Sequence, residues 1–351
     1  MVSSAVVRCK SNPGGRNKLP WSITISQIRH SAHFAASSFL VLPSASMPLA
    51  FSTCWNSSRH TRGDEMLAEI FQLGFDHVEL GHGIRLSLWR GIEKFLADHP
   101  MTVTSLHNFC PLPIEIPRAA PDCYQCTSVD SRERERAFRC TLQTIDYARK
   151  AGTRIVVMHL GSVMSSNATA RLIRLIQQGH YLDRTYVKHK LAAIRKRESI
   201  VIYDRILDWL QPVLQHARTA GVTLGIENRI GIETVPSEPE FRRLFMDVPD
   251  GTIGYWHDFG HAQVRHNLTL VDQTDWLREM SPWLIGCHVH DVEFPARDHC
   301  VPSTGMIDFA TLLPLLPGNT PMVWELNPQL PRDEIVSALS IWKKAFSGIF
   351  A

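Results

Sequence analysis

The feature that most restricts what this chain can fold into is a rhythm that starts at Met47 and continues to the C-terminal region. Short apolar runs of strand length are each followed by a longer amphipathic run and a breaker. The apolar runs span Leu49 to Thr53, His77 to Leu80, Thr102 to His107, Arg154 to His159, Val222 to Glu227, Thr252 to His257, Leu284 to Val289 and Met322 to Glu325. Helices are predicted from about Asp64 to a stop at Gly74, from Asp130 or Ser131 to Gly152, from about Ser199 to Gly221, and from about Asp333 to Phe346. Eight strands alternating with helices imply parallel βα units, and a barrel needs ~250 residues. A doubly wound sheet usually has fewer strands and a glycine-rich turn after the first, and no GxGxxG is present. The expected fold is therefore an α/β chain closed into a (β/α)8 barrel over residues 47–351.

Residues 163–198 interrupt the rhythm, with many Arg and Lys set among Leu and Ile (RLIRLIQQGHY, VKHKLAAIRKRES). They read as a helical insertion after the fourth strand, either a solvated face or a lid over the barrel mouth. Residues 1–46 hold five basic side chains and no Asp or Glu. Two readings are open for this segment, a transit-peptide-like leader or an extension ahead of a start at Met47, and the second is preferred. Either way the expectation is a disordered extension.

Removing those five leaves 32 basic and 34 acidic residues, so the net charge of +3 hides a body of about −2. Such a body argues against nucleic acid as a partner. The apolar stretch Phe34 to Leu42 is too short to span a membrane. Eight scattered cysteines suit buried thiols in a reducing compartment, and hence the cytoplasm. The single CxxC, Cys123 and Cys126, lacks the second pair that a zinc ribbon needs.

The chemistry is concentrated where strands end. Strand three ends at His107, four at His159 and five at Glu227; six leads into Asp258, seven carries His288 and eight ends at Glu325. The C-terminal strand ends of a parallel barrel converge on one face. Singly, each residue is ordinary: a satisfied structural histidine or an ion-pair partner. Together, converging carboxylates without a cation would repel one another and shift each other's pKa, whereas a divalent ion makes the cluster favourable. Three carboxylates with an imidazole form a hard oxygen–nitrogen set suited to Mn, Mg, Co or Zn.

These residues and their neighbours resemble the xylose isomerase-like barrels, which include sugar and sugar-phosphate isomerases and epimerases, ketose 3-epimerases, inosose-pathway enzymes and endonuclease IV. DFGHA (258–262) is similar to the family's DxxH, and HVHD (288–291) to its HxxD. DHCVPSTGMID (298–308) is similar to DHLPPGxGxID, with Ser303 in place of the first glycine. The resemblance implies one metal ion held by Glu227, Asp258, His288 and Glu325. It also implies a metal-stabilised enediolate, with Glu227 and Glu325 exchanging a proton at carbon. Glu233 and His261 would hold substrate hydroxyls, with His107, His159 and His299 beside them on the substrate wall. Glu233 reads equally well as a carboxylate at a helix N-terminus.

The expected activity is a metal-dependent isomerisation or epimerisation of a small carbohydrate or keto-sugar, with homo-oligomerisation left open. The rival within the fold is endonuclease IV-like phosphodiester cleavage at abasic DNA. His107, His159, His261 and His299 match that enzyme's extra ligands, but Arg297 stands where it has an Asp. A third reading is a non-catalytic sugar-binding barrel.

Overall fold

The computed structural model describes residues 47–163 and 167–348. The expectations for residues 1–46 lie outside the described residues. Eight parallel strands close into a barrel in the order β1-β10-β7-β6-β5-β4-β3-β2. They are β1 Leu49–Ser52, β2 His77–Leu80, β3 Thr102–His107, β4 Ile155–Met158, β5 Thr223–Glu227, β6 Ile253–Asp258, β7 Leu284–Val289 and β10 Met322–Trp324. The remaining pair, β8 Asp291–Glu293 and β9 Arg297–Cys300, forms an antiparallel hairpin after β7. No hairpin is expected from the sequence there, because three- and four-residue strands of mostly charged residues carry no apolar alternation.

Helices α1 Gly63–Gln72, α2 Leu86–Asp98, α3 Ser131–Lys150, α6 Tyr203–Ala220, α7 Glu238–Asp247, α8 Phe259–Asn267, α9 Gln273–Met280, α10 Phe309–Leu312 and α11 Arg332–Ala345 lie between and after the strands. Their ends follow local chemistry. Asp130 caps α3 by accepting from the Arg132 amide, and Gly221 ends α6 at φ 66°. Ser237 and Glu240 form a capping box at the start of α7. Helices α4 Ala168–Gln177 and α5 Arg184–Glu198 occupy the basic stretch after β4. Because α5 runs to Glu198, the next helix begins at Tyr203 and not at Ser199.

The outer core lies between strands and helices, while Ala50, Val157, Trp256 and Val323 form a separate cluster inside the barrel. Alternation along each strand explains this second core. Gly254, Trp256 and Asp258 share one face of β6, and Gly286 and His288 share one face of β7. Trp256 fills the lumen because Gly286 is opposite: a Cβ there would lie 2.0 Å from the indole. The lumen is thus a packed floor, and the next inward layer above it is polar.

Candidate metal centre

Moving two residues up each strand from the lumen floor gives the site. Val323 leads to Glu325, Gly225 to Glu227, Trp256 to Asp258 and Gly286 to His288. Glu227, Asp258 and His288 bring one ligand atom each within 4.8 Å of the others, and all three are buried. Glu325 joins them through His288, whose Nδ1 lies 3.2 Å from Glu325 Oε2, 3.7 Å from Glu227 Oε2 and 3.7 Å from Asp258 Oδ2. That Nδ1 is buried and makes a hydrogen bond with none of them. An unpartnered ring nitrogen amid three carboxylate oxygens is the arrangement expected of ligands that share a cation, and a hard oxygen–nitrogen set suits a divalent one. The residues present therefore fit the expected metal.

Carboxylates and imidazoles in the cluster hold one another charged. Burial opposes ionisation of Glu325, yet His288, His299 and His107 hold its pKa down to about 2. Burial is outweighed in the same way at Glu227, by His159, His288 and His107, and at Asp258, by His261 and His290, so both lie well below the usual carboxylate range. In return, Glu325, Glu79 and Glu227 overcome burial and raise His288 well above the usual imidazole range. His261 is raised to about 9, with Asp258 and Glu227 outweighing its burial.

Of the residues assigned to the substrate wall, His107, His159, His261 and His299 do line the cavity above the cluster, which has a volume of about 280 Å³. Each has Nδ1 against an oxygen: Asn108 O at 3.0 Å, Asp122 Oδ1 at 2.9 Å, Asn228 O at 3.0 Å and Glu325 O at 3.0 Å, respectively. For His107, His261 and His299 these partners assign a proton to Nδ1, whereas Nδ1 of His159 also faces the Arg229 guanidinium, a donor. The Nε2 atoms of His107 and His159 both approach Glu227 Oε2, at 3.2 and 3.0 Å. Arg229 also lines the cavity and forms a bidentate pair with Asp122 at 3.1 and 3.0 Å.

Glu233 is not brought to this wall. Its carboxylate accepts from the Thr169 amide at 2.9 Å and the Thr169 hydroxyl at 2.6 Å. Thr169 lies in the first turn of α4, so the helix-terminal reading of Glu233 is the one its contacts support. The loop containing Glu233 also pairs with the segment after β4 through the Ser162–Thr234 bridge, which draws the carboxylate towards α4. Arg297, taken from the sequence as a cation intruding on a further metal position, instead points to solvent and pairs with Glu293 at 2.9 Å.

Several site residues escape a reading confined to strand ends. Glu79, inside β2, is fully buried and touches His288. His290 accepts the His299 amide at Nδ1, at 2.9 Å, so its Nε2 donates to Asp258 at 3.1 Å and holds that carboxylate. His82 and Cys54 line the cavity, and the Cys54 thiol lies 3.6 Å from Glu325 Oε1. For Glu79 the signal was present: a carboxylate between Val78 and Leu80, on the strand face that points into the lumen.

The fold and the convergent cluster define a (β/α)8 barrel with a candidate metal centre at its C-terminal mouth. The model of the xylose isomerase-like TIM barrel family matches residues 67–345, and the chain belongs to that family. No curated protein matches the sequence. Among solved structures, a D-tagatose 3-epimerase-like protein superposes with a TM-score of 0.62 at 17% identity, covering 86% of this chain and 98% of its own. The Escherichia coli 3-keto-D-glucoside 4-epimerase gives 0.60 at 13% identity, covering 85% and 99%. A Thermus thermophilus protein soaked with zinc chloride gives 0.54 at 20% identity, covering 87% and 99%.

Proposed function

We propose that this protein is a divalent-metal-dependent isomerase or epimerase acting on a sugar or related keto-sugar. The observation that carries the reading is His288 Nδ1, unpaired and within 3.7 Å of oxygens from Glu227, Asp258 and Glu325. A bound divalent ion would supply Lewis acidity, neutralising charge that develops on adjacent carbonyl and hydroxyl oxygens of a substrate. Glu227 and Glu325 arrive from different strands, so the ionised one takes a proton from carbon while the other, once it has picked up a proton from solvent, returns one to carbon. Asp258 and His288 are fully buried beneath them and act as ligands only. The Nε2 atoms of His261 and His299 face the cavity as hydrogen-bonding groups for substrate hydroxyls. The names of the structural neighbours, two of them sugar epimerases or epimerase-like, support the same substrate class.

Two observations favour phosphodiester cleavage as a second reading. His107, His159 and Glu227 converge within 4.8 Å as a further group able to hold an ion, and Arg297 does not intrude. In addition, Arg171, Arg174, Arg184, Lys188 and Arg195 are exposed on α4 and α5, giving this near-neutral body a local basic face. Metal analysis of the purified chain separates the two readings. About one ion per chain with carbon-bound proton exchange supports the isomerase. More than one ion, with cleavage of abasic DNA and no exchange, supports the nuclease.

A further inference from the structure

We infer that Glu79 is a positioning residue for the proposed metal centre: from inside β2 it accepts a hydrogen bond from the Nε2–H of His288 and so fixes Nδ1 as the ligand atom. The inference rests on the proposed metal-binding reading and extends it to a residue that reading does not use.

Glu79 has no exposure, and among the described residues no Lys or Arg pairs with it. Burying a carboxylate away from a fixed cation costs several kcal/mol, and the lumen elsewhere is filled by apolar side chains such as Ala50 and Val323. Stability alone does not account for a carboxylate there. Its contacts do. Both oxygens accept from His288 Nε2, at 3.2 and 3.1 Å. Ser52 Oγ donates to Oε1 at 3.0 Å and Ser105 Oγ to Oε2 at 2.8 Å. The two serines come from the strands flanking β2, where Ser52 and Ser105 are the register partners of Glu79. Three adjacent strands therefore hold one carboxylate in one orientation, with its plane against a single ring N–H.

The consequence lies at the other nitrogen. As a ligand of a bound ion His288 would be a neutral imidazole, which carries one proton. With that proton drawn to Nε2, Nδ1 presents a lone pair towards Glu227, Asp258 and Glu325. If the proton moved to Nδ1, it would be donated to Glu325 Oε2, 3.2 Å away, and the position shared by the four ligands would be closed. Carboxylates placed behind ligand histidines commonly raise metal affinity 10–100-fold.

The test uses the full chain, Co2+ alone as probe, chelator competition for Kd and the visible Co2+ spectrum. Glu79→Gln keeps the shape and an oxygen acceptor, so the metal-free variant should melt close to wild type. It should bind Co2+ 10–100-fold more weakly with an altered ligand-field spectrum. Wild-type Kd and spectrum in Glu79→Gln would overturn the inference while leaving the metal reading intact. A wild type that binds no Co2+ would overturn both. If Glu79→Gln does not fold, Ser105→Ala decides: a several-fold weaker Kd supports the role, and an unchanged one overturns it.

Discussion

At the scale of single residues, the proposed function gives Glu227 and Glu325 two duties that can be separated. Each offers an oxygen to the centre and each is held ionised by neighbouring imidazoles. Gln keeps an oxygen but cannot accept a proton. Glu227→Gln or Glu325→Gln should therefore lower kcat by ~10²–10⁴-fold at saturating metal. With a keto-sugar in deuterated water, wild type should place deuterium on the carbon beside the carbonyl, and each variant should lose that exchange. Exchange persisting in both metal-loaded variants would show that the proton moves elsewhere. The same scale shows how charge and tautomer cooperate. His107, His261 and His299 donate from Nδ1 to backbone carbonyls, whereas His288 donates from Nε2, and this reversal puts Nδ1 of His288 alone amid the carboxylates.

At the scale of elements, two contacts decide how strands and helices present the site. Glu233 fastens the first turn of α4 to the loop after β5 through both Thr169 donors. Glu233→Ala leaves a buried hydroxyl and amide without their acceptor, at a cost of about 1–3 kcal/mol. The expected outcome is a lower Tm and faster proteolytic nicking between residues 163 and 198, with metal content unchanged. A raised KM at unchanged Tm would return Glu233 to the substrate wall. Below the ligands, Trp256 sits 5.2 Å from the His288 ring and fills space left by Gly286. Gly286→Ala forces the indole to move, and overpacking of this kind costs about 1–3 kcal/mol. Calorimetry should show the loss in the metal-free chain, and wild-type stability would mean that the lumen yields more easily than its packing indicates.

At the scale of the molecule, the proposed metal centre would couple ion binding to barrel closure. The four proposed ligands come from β5, the end of β6, β7 and the residue after β10, so they meet only when the barrel is closed. An ion that binds only the folded chain adds about 4 kcal/mol at a thousandfold excess over Kd. Stripping with a chelator should therefore lower Tm by several degrees, and adding Mn2+ or Zn2+ back should restore it. A Tm indifferent to both would sink the cluster as a metal centre.

Much of this architecture was legible before any coordinates. The period-2 runs, the glycine stops and the acid–imidazole strand ends depend on local spacing, and local spacing is written along the chain. Those same signals pointed to the carboxylates and imidazole that converge at His288. Tertiary structure alone decided the rest. Whether Glu233 faces substrate or caps α4, whether Arg297 enters the site or meets Glu293, and whether Glu79 belongs to the centre all depend on which strands and loops become neighbours. Glu79 and His288 are 209 residues apart and lie on strands that do not pair. Only closure of the barrel brings a strand-two carboxylate within 3.1 Å of a strand-seven imidazole, because the inward faces of all eight strands share one small volume.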